Sequence, residues 1–311
     1  MASDLFTARE NGAYSDLKEL IRLRFGARDL NLGKQKKAFS LLVGPHQTKF
    51  RGRGIEFEEV RAYQAGDDIR TIDWRVTART GSPHTKLFHE ERERPVLLLV
   101  DQSLPMFFGS RKCFKSVAAA NSAALLAWAA FQNNDRVGGL VFSGNEHSEV
   151  RPKRSAKNVL RLLSQINSFN HQLRRNSSDC SGGLSRALEE FRRIVRPGSN
   201  IFIISDFRHF NEDGEKHVYQ LSLHNDISAI LVFDPLEESL PPPGYYSVTD
   251  GERRAVIHTG DQEIRRRYQK NFQEKIAQLK RKLADMGIPL LRISTQDSPL
   301  LYFRNLLGVK K

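Results

Sequence analysis

The sequence predicts an α/β protein: a doubly wound, mostly parallel sheet preceded by a smaller N-terminal module of helix and short strands. Three apolar runs carry this reading, PVLLLVD (95–101), NIFIISD (200–206) and ISAILVFD (227–234), each ending in an acid. Unbroken apolar strands of this kind are buried on both faces, as in parallel sheets. Helical stretches alternate with them, and right-handed crossovers then cover both sides of the sheet. The third observation is a change of character at Pro95, before which the chain is polar, charged and short of apolar runs. The expected domains are therefore a module over 1–94, packed on the main domain, and an α/β domain over 95–311.

The elements follow in order. Residues 15–28, SDLKELIRLRFGAR, read as an amphipathic helix with Ser15 as N-cap and Leu17, Leu20, Ile21 and Leu23 on the apolar side. Residues 30–54 are polar and glycine-rich and end in RGRG. Residues 55–65 partly alternate, as a strand does, 66–74 (GDDIRTIDW) make a turn and a short element, and 84–94 are charged and extended. After the first buried strand, 114–133 form a long Ala-rich helix. RVGGLVF (136–142) is a second strand and HSEVRP (147–152) an antiparallel third. Helices cover 156–166 and 183–195, the latter stopped by Pro197-Gly198, and a shorter one spans about 213–224. Asp250-Gly251 between YYSVT and RRAVIHT signals a hairpin. A basic helix (262–286), a last strand (289–294) and a final helix (298–307) complete the chain.

Composition narrows the function classes. Of 311 residues, 39 % are hydrophobic and 27 % charged, which gives a core too large for a disordered chain. The longest apolar blocks, 96–100 and 123–131, fall short of the roughly 18 residues that a membrane span needs. The first twenty residues lack the pattern of an export signal, so the two cysteines, Cys113 and Cys180, are expected reduced and the protein cytoplasmic.

The net charge of +13 sits in two windows. Arg151–Asn200 holds eleven basic and three acidic residues, and Gln262–Met286 holds eight and three. Both read as helical surfaces that attract an anion (nucleic acid, acidic lipid or acidic protein) or as ordinary solvated faces. The stretch Arg51–Arg94 carries nine charges of each sign, which suggests paired carboxylates and guanidiniums. Phosphate-loop, dinucleotide and nucleophile-elbow motifs are missing from the sequence, and no His pair stands at metal-ligand spacing.

In open α/β sheets, function collects at the C-terminal strand ends, where Asp101, Asp206 and Asp234 lie. Asp101 and Ser103 in DQSLPM, with Asp206 from another strand end, offer the oxygen ligands that a hard cation such as Mg²⁺ or Mn²⁺ takes. Alternatively, Asp101 and Asp206 cap the segments that follow them. The Asp-x-Ser-x-Ser pattern resembles the ion site of von Willebrand factor A-type domains, and the order of elements after Pro95 resembles that fold. The resemblance is imperfect. Pro105 stands at the third position, and Gly182 or Gly183 stands where a Thr is expected, with Ser181 and Ser185 as out-of-register substitutes.

The block 51–94 is the second candidate. Gly54, Glu56 and Phe57, then Arg61, Tyr63, Gly66, Asp67, Asp68, Arg70, Asp73 and Trp74, then Arg79, form a long ordered signature. It resembles the bacterial family called domain of unknown function 58, which joins such a block to a von Willebrand A-like domain. Read from the residues, Asp67, Asp68 and Asp73 beside Arg61, Arg70, Arg75 and Arg79 form an ion-pair network that fixes the module to the sheet domain, with Trp74 as a packing anchor. The resemblance implies a non-enzymatic adaptor that works with a MoxR-type AAA+ ATPase and other von Willebrand A proteins, in chaperone-like maturation or stress tolerance. The alternatives are a binder of nucleic acid or another anionic surface through the basic helices, and a metal-dependent hydrolase built on Asp67, Asp68, Asp101 and Asp206.

Overall fold

The computed structural model describes residues 12–30, 32, 55–64, 69, 72–90, 94–144, 146–172, 182–249 and 254–308. The chain divides into two compact units, Lys49–Arg94 on the one hand and Met1–Thr48 with Pro95–Lys311 on the other. The boundary expected at Pro95 recurs, but residues 1–48, expected in the N-terminal module, fall in the same unit as the chain after Pro95.

The N-terminal helix, α1 (Leu17–Ala27), belongs with the sheet unit. Its Leu20 and Ala27 are fully buried, and the indole Nε1 of Trp128 donates to the Leu20 carbonyl at 3.1 Å. Asp16, not Ser15, is the N-cap and accepts from the Lys18 N–H at 2.9 Å. Ser15 is occupied elsewhere: its hydroxyl donates to Asn167 Oδ1 and its N–H to Asn170 Oδ1.

A six-stranded sheet organises this unit. Its strands are β3 (Pro95–Asp101), β4 (Arg136–Ser143), β5 (Glu146–Lys153), β6 (Asn200–Ser205), β7 (Asp226–Phe233) and β10 (Leu290–Ser294). Their order is β10-β7-β6-β3-β4-β5, parallel throughout except for β5, which runs antiparallel at the edge beside β4. The three strand-then-acid runs are thus the adjacent strands β3, β6 and β7. Successive side chains alternate between faces, so Val96, Leu98 and Val100 enter one core and Leu97 and Leu99 the other.

The first core is closed by α1, by α3 (Lys115–Gln132), by α4 (Ala156–Gln172) and by α9 (Pro299–Leu307). Helix α3 is buried along nearly its whole length, and its run of alanines permits close approach on several sides. The second core is closed by α5 (Gly183–Ile194), α6 (Glu212–Ser222) and α8 (Gln262–Asp285). Burying one leucine of these cores contributes about 1.5–3 kcal/mol. Packing of β3 on β4 leaves no room for a side chain at Gly139, where a Cβ would lie 2.2 Å from the Leu98 carbonyl oxygen. Helix α4 runs six residues beyond the expected Ile166, because the buried Asn170 is held by Ser15 and by Gln102, whose Oε1 accepts from it at 2.9 Å. A short helix, α7 (Pro235–Glu238), follows β7, and the expected hairpin is formed by β8 (Tyr245–Thr249) and β9 (Arg254–His258).

In the unit Lys49–Arg94, β1 (Ile55–Ala62) pairs antiparallel with β2 (His84–Glu90), with an irregularity between Phe57 and Glu59. Helix α2 (Trp74–Thr80) lies between them in the chain and is capped by Asp73, which accepts from the N–H groups of Arg75 and Val76. Among the described residues of the chain, no helix is long and apolar enough to cross a membrane.

Candidate functional site

Strands β3 and β6 are neighbours, so parallel pairing brings Asp101, Ser205 and Asp206 to one end of the sheet. Asp101 is buried, and its carboxylate is ringed by donors. Oδ1 accepts from the Ser103 N–H at 2.9 Å and the Ser103 hydroxyl at 2.5 Å, and Oδ2 accepts from the Ser205 hydroxyl at 2.6 Å. Burial, and then the negative charge of Asp206, push the Asp101 carboxyl up to about 6, although the bonds from Ser103 and Ser205 oppose the shift. A small cavity opens beside it, lined by Asp101, Ser103, Phe142, Gly144, Gly183, Leu184, Ser205, Asp206 and His209.

The turn after β6 is tightly built. Asp206 Oδ1 accepts from the Arg208 N–H at 3.0 Å, and Ser205 Oγ accepts from the Phe207 N–H at 3.1 Å. Phe207 has φ 53, in the left-handed region that a bulky side chain seldom occupies. Its nearly buried ring packs edge-on against Phe210, which holds the conformation in place.

The most informative group here is Lys115, the first residue of α3. Its side chain is 1 % exposed, and Nζ donates to Asp206 Oδ2 and to Glu237 Oε1, both at 2.8 Å. Burial alone would lower its affinity for a proton, but the charges of Asp206 and Glu237 and the bonds to them outweigh that and raise it, so the ammonium persists. Glu237 in turn accepts from the Asp234 N–H at 3.0 Å through its other oxygen.

Asp234, at the end of β7, has a structural setting. It accepts from Thr295 Oγ1 at 2.6 Å, the Ser110 N–H at 2.8 Å and the Leu236 N–H at 2.9 Å. Burial works to raise its carboxyl, but these bonds prevail and hold it below the usual carboxylate value.

Of the expected ion-site residues, Asp101, Ser103 and Asp206 therefore do converge. Their donor set does not fit a divalent cation. Asp206 is bound to an ammonium, and each oxygen of both carboxylates already accepts a hydrogen bond. Pro105 is buried and brings no hydroxyl. Ser185 turns away and donates to Asn211 Oδ1 at 2.6 Å, and a Cβ at Gly183 would lie 3.0 Å from the Gly144 carbonyl oxygen. Ser181 lies outside the described residues. Among the described residues, no three His, Cys, Asp or Glu side chains are grouped as metal ligands. Ser205, Lys115 and Glu237 were not singled out in the sequence. A lysine opening an Ala-rich buried helix was the one available signal.

The signature block is described in part. Gly54, Gly66, Asp67, Asp68 and Arg70 lie outside the described residues, as do the side chains of Glu56 and Phe57, so the acid pair and Arg70 of the expected ion-pair network fall there. Arg61 is half-buried and donates to the Ala62 carbonyl, and the Tyr63 N–H donates to Pro83. Asp73 is a helix cap, and Arg75 and Arg79 are exposed. Trp74, expected as a packing anchor, is 69 % exposed, because it opens α2 on the solvent side. Cys113 is a buried thiol and Cys180 lies outside the described residues.

Comparison with known proteins gives the following. The family described as "Protein of unknown function DUF58" matches residues 59–278, more than two thirds of the chain. The uncharacterized proteins Mb1516 of Mycobacterium bovis and Rv1480 of Mycobacterium tuberculosis are each 29 % identical over 275 residues, 88 % of this chain and 85 % of theirs. Among solved structures, the conserved hypothetical protein BatB from Bacteroides thetaiotaomicron overlaps 69 % of this chain and 97 % of its own, at 15 % identity and a TM-score of 0.46. An aerotolerance-related membrane protein from Bacteroides fragilis overlaps 68 % and 96 %, at 15 % identity and a TM-score of 0.45.

Proposed function

We propose that this chain, which belongs to the DUF58 family of proteins of unknown function, is a non-enzymatic binding protein with a von Willebrand A-type sheet domain, and that a partner protein docks at its strand-end crevice. The observation that carries the reading is the state of the crevice's polar groups. Asp101, Ser103, Ser205 and Asp206 are bonded to one another or to Lys115, as a rigid docking rim requires. Ser103 and Ser205 both donate to one buried carboxylate, which fixes the two hydroxyls in place. The family resemblance supplies the partner class, a MoxR-type AAA+ ATPase in the cytoplasm, acting in maturation or stress tolerance. Copurification with that ATPase, with and without ATP, tests the reading. Ser103→Ala and His209→Ala, both on the cavity wall, should weaken the complex at least tenfold. A complex indifferent to both variants removes the crevice from the mechanism.

A second reading rests on α8, whose residues Arg266, Arg267, Lys270, Lys280 and Arg281 are exposed. Lys270 pairs with Glu274, Arg281 donates to the Ala277 carbonyl, Arg265 to the carbonyls of Leu240 and Pro241, and Lys282 pairs with Glu215, so Arg266, Arg267 and Lys280 make the core of this reading. An anionic partner bound there would lose affinity steeply with salt.

A further inference from the structure

We infer that the Lys115 ammonium, held between Asp206 of the crevice wall and Glu237, supplies the positive charge that the von Willebrand A resemblance assigns to a divalent metal ion. The inference goes beyond the docking reading and does not depend on it. It stands on placement. Asp206 is the acid that would complete an ion site with Asp101 and Ser103, and its Oδ2 is 2.8 Å from Lys115 Nζ. The same nitrogen is 2.8 Å from Glu237 Oε1, so one ammonium bonds two carboxylates from different elements and offsets one of their two negative charges. The lysine side chain is 1 % exposed and that of Asp206 8 %. Charges so far from water persist only when paired.

A divalent ion bound to Asp206 Oδ2, by a metal–oxygen bond of about 2.1 Å, would share that oxygen with the ammonium 2.8 Å away and be repelled by it. The covalently tethered cation supplies the bonds that an ion would otherwise make to Asp206. Lys115 is on this view a positioning residue: it fixes Asp206 at the crevice wall and, through Glu237, ties the β6 turn to α7.

The test is titration of the full chain, stripped with EDTA, with Mn²⁺ and Mg²⁺, read by calorimetry and by thermal unfolding. Wild type should give no binding heat and an unchanged midpoint. Lys115→Ala should unfold at lower temperature and gain ion binding, its midpoint rising by about 2–4 °C once the ion is several-fold above its dissociation constant. Lys115→Arg, which keeps a cation, should be as insensitive to the ions as wild type. A lysine that served packing alone would lower the midpoint without creating any ion dependence. If Lys115→Ala does not fold, Lys115→Met with Glu237→Gln removes the cation together with its second acid, leaves Asp206 beside Asp101, and is titrated in its place. Ion binding to wild type as tight as to the variants overturns the inference, and so does a folded lysine-free variant that ignores both ions.

Discussion

Replacing Asp101 with asparagine should change the pH dependence of stability in a way that the structure sizes. In the folded protein the Asp101 carboxyl is raised from 3.8 to about 6 by burial and by Asp206. The folded state therefore binds the proton more tightly than the unfolded chain does. The stabilisation from the protonated acid is complete below 3.8 and is lost as the pH rises through about 6. At about 1.4 kcal/mol per pH unit between the two values, ionised Asp101 costs the folded protein about 3 kcal/mol at neutral pH. Asparagine does not ionise. Its carboxamide oxygen keeps both bonds from Ser103, but its nitrogen faces Ser205 Oγ, whose proton loses its acceptor at a cost of about 1 kcal/mol. Asp101→Asn should thus be about 1 kcal/mol less stable than wild type near pH 4 and about 2 kcal/mol more stable at pH 7. Urea unfolding of both proteins across this range reads the difference directly, because the other titrating groups are common to both. A difference that stays constant from pH 4 to 7 would refute the argument, since an acid of ordinary affinity has no such slope.

Other consequences are sized in the same way. Thr295→Val removes the hydroxyl bonded to the buried Asp234 carboxylate and should cost about 1.5–3 kcal/mol in urea unfolding at pH 7. Because Asp234 is held below its usual value, its stabilisation is present above 3.8 and is lost as the pH falls through the lowered value, so the penalty of Thr295→Val should shrink in acid. Gly139→Ala puts a methyl group 2.2 Å from the Leu98 carbonyl oxygen in the middle of the sheet and should destabilise by about 1–3 kcal/mol. A loss under about 0.5 kcal/mol, the size of an ordinary surface substitution, would contradict the packing described. Asp73→Ala removes the cap of α2 and should cost about 1 kcal/mol, seen as faster amide exchange at Arg75 and Val76 and unchanged exchange in β3 and β6.

The sheet was legible because its strands announce themselves locally. PVLLLVD, NIFIISD and ISAILVFD are apolar without interruption, and HSEVRP mixes polar residues in, as an edge strand does. Asp101, Ser103 and Asp206 were legible for the same reason, as strand-end residues. Lys115 was not, since its partners lie 91 and 122 residues further along the chain and nothing near it hints at a carboxylate. Ser205 reads as one polar residue closing an apolar strand until β3 is set beside β6. Ser15 lost its capping role to Asp16 through contacts with Asn167 and Asn170 more than 150 residues away. Trp74 is exposed although its bulk and apolarity predict burial, since a residue opening a short helix can point outward.

The bond from Trp128 to the Leu20 carbonyl joins residues 108 positions apart. During synthesis, α1 leaves the ribosome well before the helix it rests against. The 87 residues between Ala27 and Lys115 take roughly 4–17 s to make at about 5–20 residues per second. For that interval Leu20 and its apolar neighbours have no native surface to cover them, while the whole unit Lys49–Arg94 is translated. A nascent chain stalled before Gln132 would thus present an uncovered amphipathic helix, and that is the stage at which a chaperone acting on this protein would find its handle.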